Sequence, residues 1–144
     1  MARKYEIPKF LAGKTPQEQY ERWLHRKAIA HVRRDRKRGN SSATNAEYKI
    51  EIHRAVNESE GRDGYTGEML DWSLISTYEN EKSKSGGRHY KAQFALLPTV
   101  DHVSDGLGPA DFTICSWRAN SAKNDLTLPE FLRLCEKVLR HNGR

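Results

Sequence analysis

The apolar residues of this chain recur at helical spacing in its first part and its last, and at strand spacing between. Tyr20, Trp23, Leu24, Ala28 and Val32 fall on one face of a helix that should start at Thr15-Pro16-Gln17-Glu18, run to about Arg38 and stop at Gly39-Asn40. The start is well marked: Thr caps, Pro suits the first helical position, and Glu closes the capping box. Thr44-Asn45-Ala46-Glu47 repeats the signal, and Tyr48, Ile52, Ala55 and Val56 carry a second helix to near Glu58, before Gly61-Arg62-Asp63-Gly64. Residues 65–80 read either way, because Leu74-Ile75-Ser76-Thr77-Tyr78 fits a strand or a helical turn. Residues 81–91, EKSKSGGRHYK, form a polar basic loop. Two strands follow, Phe94 to Val100 and Phe112 to Trp117, and Pro98 confines the first to an edge or a bulge. The connection DHVSDGLGPAD is too long for a tight hairpin. A helical turn over Ala119 to Asn124 comes next. Thr127-Leu128-Pro129-Glu130 then opens a closing helix with Phe131, Leu134, Cys135 and Val138 on one face, ended by Asn142-Gly143.

The length of 144 residues fits one domain around one core. At 36% the hydrophobic content is low, so the three Trp, six Tyr and four Phe are expected to anchor that core, Trp72 and Trp117 among them. The net charge of +6 is unevenly placed. Residues 1–40 carry twelve Lys and Arg against four acids, and residues 41–144 carry thirteen against fifteen, so the positive excess sits in the N-terminal arm and its helix. Arg22, Arg26, Arg33 and Lys37 lie within about 60° of each other at helical pitch and form one basic stripe. Such an asymmetry points to a polyanionic partner, most simply nucleic acid, or else to a solvated face. No apolar run is long enough to span a bilayer, no signal peptide is evident, and two cysteines suit a reducing cytoplasm. Cys115 and Cys135 read as buried, inert thiols.

The chemistry concentrates in LPTVDHVSDGLGPADFTICSWRANSAKNDLT, residues 97–127. Asp101 and His102 stand together at the end of a strand, where extended backbone sends them to opposite faces unless the chain turns. A carboxylate holds a hard cation and an imidazole takes a proton from water. Asn120 adds a neutral oxygen, Lys123 faces the same way one helical turn later, and Arg118 and Lys123 are placed to hold phosphate. Such oxygen donors suit Mg²⁺ or Mn²⁺ rather than zinc. By residue type alone, Asp101-His102 is equally a turn pair and Asn120 a helix cap.

The order and spacing resemble the ββα-metal motif of the HNH endonuclease family over about residues 94–125, extended loosely upstream by Tyr65-Thr66-Gly67-Glu68. The nine residues from Asp111 to Asn120 are similar to the spacing in the HNH domain of CRISPR effector nucleases. The resemblance implies an α+β fold: a ββα-metal core (residues 61–127) packed against a basic helical part (1–60), with a closing C-terminal helix (128–144), all in one domain. It implies a metal-dependent DNA endonuclease, most simply on duplex DNA, leaving a 5′ phosphate and a 3′ hydroxyl. Asp101 and Asn120 would be metal ligands and His102 the general base. Asp111 stands where the family has the Asn that ties the loop and orients the His. Two departures stand out. A carboxylate at position 111 favours the protonated imidazole or merely caps the loop, and Tyr65 and Gly67 occupy the place of a cysteine knuckle, so no structural zinc is expected. His89, among Lys82, Lys84, Arg88 and Lys91, is a phosphate contact, an auxiliary acid or a surface residue. His25, His31, His53 and His141 show no ligand partner. A catalytically silent DNA-binding module and an RNA-directed nuclease are the alternatives. Because one such site cuts one strand, double-strand cleavage requires a homodimer or successive nicks.

Overall fold

Helices α1 (Gln17–Lys37) and α2 (Asn45–Ser59) open the computed structural model, which describes residues 3–75, 86–87 and 92–144. α2 begins as the sequence indicates, with the Thr44 side chain accepting from the Glu47 amide. It ends where Glu60 and Gly61 turn left-handed, at φ 52° and 87°. α1 does not begin as expected. Pro16 occupies its cap position without a side-chain bond, and the buried Thr15 hydroxyl instead donates to the Trp72 carbonyl at 2.7 Å. That hydroxyl ties the start of α1 to the core, a partner 57 residues away that no local pattern announces.

The two helices close on a core in which Tyr20, Trp23, Leu24, Ile52, Val56, Trp72, Ile75 and Ile114 are all essentially inaccessible. Trp23 meets Trp72 edge-on at 5.5 Å, the aromatic anchoring that the low apolar content required. Burial of each such side chain contributes roughly 1.5–3 kcal/mol.

β1 (Pro98–His102) and β2 (Phe112–Ser116) form an antiparallel pair with Val100 opposite Ile114, Asp101 opposite Thr113 and His102 opposite Phe112. β1 starts four residues later than the apolar pattern predicts. The Leu97 amide bonds back to the Phe94 carbonyl in a turn, and Pro98, which has no amide to give the ladder, takes the first strand position. β2 ends one residue early because the Ser116 side chain caps α3 (Trp117–Lys123) by accepting from the Ala119 amide. Trp72 is core, whereas Trp117, as the first residue of α3, is only partly buried. Leu74-Ile75 belongs to a short 3-10 turn (Trp72–Leu74) and its exit; Ser76 to Tyr78 lie outside the described residues.

α4 (Leu128–His141) forms with its Thr127 cap accepting from the Glu130 amide. It does not close the core: none of its residues is buried, and Cys135 is half-buried where burial was expected. The periodicity formed the helix, but no surface of the described chain covers it. The architecture is thus mixed α+β, with four helices and one two-stranded antiparallel sheet among the described residues. No helix there is long and apolar enough to cross a membrane.

Candidate active site

The end of β1 opens into a groove of about 880 Å³ whose walls come from α1, β1, α3 and the segment leading into α4. Asp101, His102, Asn120 and Lys123 all line it, so one concavity gathers four of the residues singled out in the sequence. Alternation along the strand sends Asp101 and His102 to different partners.

Asp101 faces α3 and the turn after α2. Its Oδ2 accepts from Lys123 Nζ at 2.8 Å and from the Tyr65 hydroxyl at 2.5 Å. Lys123 is therefore not the outward phosphate contact the sequence suggested; it is buried against the Asp101 carboxylate. Tyr65 is held there by Asp63, whose Oδ1 accepts from the Tyr65 and Thr66 amides and whose Oδ2 accepts from the Ser116 amide. Burial works against charge on Asp63, but these bonds outweigh it and hold the carboxyl below its ordinary range. Gly64 sits so close to β2 that a Cβ would come within 2.5 Å of Thr113 Oγ1. The turn expected in place of a cysteine knuckle is thus laced directly to the sheet. Burial, and then the bond to Asp101, push the Tyr65 phenol well above its ordinary value, so it remains a donor.

His102 faces α1. Its Nε2 lies 3.0 Å from both carboxylate oxygens of Asp35, a residue only 1% exposed. Asp35 also accepts from the Tyr48 hydroxyl at 2.5 Å. Asn40 donates to the Gly106 carbonyl at 2.8 Å, which pins the loop after β1 to the end of α1. Gly106, at φ +81°, lies over the pair, and a Cβ there would approach Asp35 Oδ1 to 2.9 Å and His102 Nε2 to 3.0 Å. Phe112 stacks on the His102 ring at 5.0 Å, and His31 meets it edge-on at 5.1 Å. An acceptor-only carboxylate at Nε2 selects the tautomer with its proton there, leaving the Nδ1 lone pair free to take a proton. His31 is buried, and burial, followed by the positive charge of Arg34, takes its pKa down to about 3, so it packs as a neutral ring.

Asp111 does not orient His102. Its side chain is exposed, and its contribution is a backbone carbonyl that accepts from the Val103 amide. The orienting carboxylate is Asp35, 67 residues upstream of the histidine. The only sequence trace of it is an acid at an apolar-face position in the Arg-rich second half of α1. Arg118 is exposed and, like Arg22, Arg26 and Arg33, is not among the groove's walls. The cations that do line the groove from this side are Arg34 of α1 and Arg38 at its C-cap, and Lys37 joins them in an adjoining pocket of about 410 Å³ beside His102 and Asp35. Arg88 and His89 lie outside the described residues.

No group of three His, Cys, Asp or Glu side chains capable of holding a metal ion occurs among the described residues. The donors singled out in the sequence are of another kind: the Asp101 carboxylate and the Asn120 amide oxygen, on a groove that Asp105 and Asp125 also line and that is wide enough for water and a phosphate oxygen. A sparse oxygen set of this type fits Mg²⁺ or Mn²⁺, which take one or two carboxylates and complete their shells with water and substrate phosphate. Cys115 is buried within β2, where burial raises its thiol pKa far above the ordinary value, and it is not a candidate ligand. No protein-family model, curated protein or solved structure matches the chain significantly.

Proposed function

We propose that this protein is a metal-dependent endonuclease of the ββα-metal (HNH) type that hydrolyses phosphodiester bonds in DNA, most simply duplex DNA. The observation that carries the reading is the placement of Asp101 and His102 at the end of β1, with Asn120 on the following helix, in one groove that Arg34 and Arg38 also line. His102 Nδ1 would take the proton of the attacking water, with the imidazole held by Asp35 through Nε2. Arg34 and Arg38 would hold the phosphodiester against the site from the α1 side. Asp101 and Asn120 would hold Mg²⁺ or Mn²⁺, whose chemistry when bound is stabilisation of charge on the phosphate and the leaving 3′ oxygen. In the net reaction water adds to phosphorus and the P–O3′ bond breaks.

A second reading has its own support. The Lys123 ammonium already neutralises Asp101 at 2.8 Å, an arrangement that also suits a catalytically silent DNA-binding module. Plasmid cleavage in Mg²⁺, Mn²⁺ or EDTA separates the two. The nuclease reading expects metal-dependent nicking or linearisation that falls at least about 100-fold in His102→Ala. In Asp35→Asn it falls about 10- to 100-fold, with an altered pH profile of the residual activity. A protein that retards DNA in a gel but cuts neither DNA nor RNA with either metal is the silent module. Preferential cutting of RNA in a mixed-substrate competition makes it an RNA-directed nuclease.

A further inference from the structure

Beside the groove lies a smaller pocket of about 410 Å³ whose walls are His31, Arg34, Asp35, Lys37, Arg38 and His102. Arg34, Lys37 and Arg38 stand at i, i+3 and i+4, so the end of α1 presents all three on one side. Among the described residues no carboxylate pairs with any of them. The pocket's one acid, Asp35, already accepts from the Tyr48 hydroxyl and holds His102. Arg36, by contrast, donates to the Ala43 carbonyl. Cations in a last helical turn offset the helix dipole, but that is only about half a charge. Three cations less one carboxylate exceed it, and the pocket keeps a positive excess. Neighbouring bases register it: burial, and next the charge of Arg34, lower His31 to about 3 and Lys27 to about 8.

We propose that this pocket is a second phosphate subsite, holding the phosphate next to the one under attack on the same nucleic-acid strand. His31, Arg34, Arg38 and His102 line both the groove and the pocket, so the two spaces are continuous on the α1 side of His102. Lys37 lines only the pocket. A phosphate seated in the groove over Asp101 and Asn120 therefore leaves Lys37 without an anion, and a repeating polyanion supplies one. Because His102 borders both spaces, the second anion lies one side chain away from the first, which favours a neighbour along one strand. Guanidiniums grip two phosphate oxygens at once and the ammonium adds a point charge, so the wall chemistry suits phosphate. That the ligand is a nucleic-acid strand rests on the nuclease reading; the anion pocket itself does not.

The test has two arms, both on the full chain. In EDTA, acylation of individual lysines is followed by mass spectrometry as inorganic phosphate is added. Phosphate is expected to protect Lys37 but not Lys137, which is exposed on α4. The half-protecting concentration should rise at least about tenfold in Arg38→Gln, the scale of one lost charged hydrogen bond. Equal protection of Lys37 and Lys137 overturns the anion pocket. In Mg²⁺, duplexes carrying a single uncharged methylphosphonate are offered for cutting. Placed beside the scissile linkage, it is expected to slow wild type at least about tenfold and Lys37→Gln less than about twofold, because the two changes remove the same contact. An equal penalty in both proteins overturns the neighbouring-phosphate assignment while cleavage itself upholds the nuclease reading. If no duplex is cut although phosphate protects Lys37, the nuclease reading falls and takes the neighbouring-phosphate assignment with it, and the pocket stands as an anion site alone.

Discussion

The helix pair α1/α2 and the helix α4 start from the same kind of sequence and end in opposite situations. α2 and α4 are opened by the same Thr-x-x-Glu signal, and in both the threonine accepts from the amide of the glutamate. Both are amphipathic. Yet α2 buries Tyr48, Ile52, Ala55 and Val56, and α4 buries nothing. Capping and periodicity act within a few residues and decide whether a helix forms. Whether its apolar face is covered depends on a second surface at the right place. α2 finds one in α1 and β2, whereas no residue of α4 becomes buried. The comparison also locates the site's support: the buried polar residues that hold His102 stand on α1 and α2, and α4 only edges the groove.

The strongest way to break this comparison is to delete apolar mass on each side. Ile52→Ala, at a fully buried position, should cost about 2–5 kcal/mol. Leu139→Ala, half exposed, should change the stability of the monomer by less than about 0.5 kcal/mol. Urea unfolding at low protein concentration measures both, and equal losses would mean that α4 is packed after all.

Acid sharpens the buried side. His31 has a folded-state pKa of about 3 against 6.5 for the ordinary group. Between those values the unfolded chain takes a proton that the folded chain refuses, so stability is full above about pH 6.5 and is lost as pH falls towards 3. The loss from this residue between pH 7 and pH 5 is about 2 kcal/mol. Unfolding curves across that range should flatten by this amount in His31→Gln relative to wild type; an unchanged slope would show that His31 is accessible to protonation in the fold.

The caps contribute less than the buried apolar and histidine side chains. Thr44→Ala should lower global stability by about 1 kcal/mol. Thr127→Ala should remove a comparable local contribution yet leave the main melting transition in place, reducing helical ellipticity only by the fraying of α4. A shift of the main transition by Thr127→Ala would show that α4 unfolds with the core.

The chain's local signals carried a good part of this structure. Helices over most of residues 17–37, 45–59 and 128–141, two strands, and the Asp101-His102-Asn120 grouping are legible because each rests on near-neighbour chemistry. The misreadings have a common cause. Thr15 looked like a cap but serves the core, Asp111 looked like the histidine's orienter but Asp35 takes that place, and Lys123 looked free for phosphate but is paired with Asp101. In each case the decisive partner lies 22 to 67 residues away. The cations of the groove depend on placement too: helical pitch groups Arg22, Arg26, Arg33 and Lys37 in one stripe, and the position of β1 puts Arg34 and Arg38 on the groove.

By itself the sequence determined the helices, the threonine caps of α2 and α4, the strand pair and the residue types of the candidate site, because backbone propensity and side-chain periodicity act over a few residues. Only the tertiary structure decided which carboxylate meets His102, which ammonium meets Asp101, and that the apolar face of α4 is left exposed. Those outcomes depend on how separate elements are brought together in the folded chain, and the relative placement of distant elements is not encoded in any local stretch of the sequence.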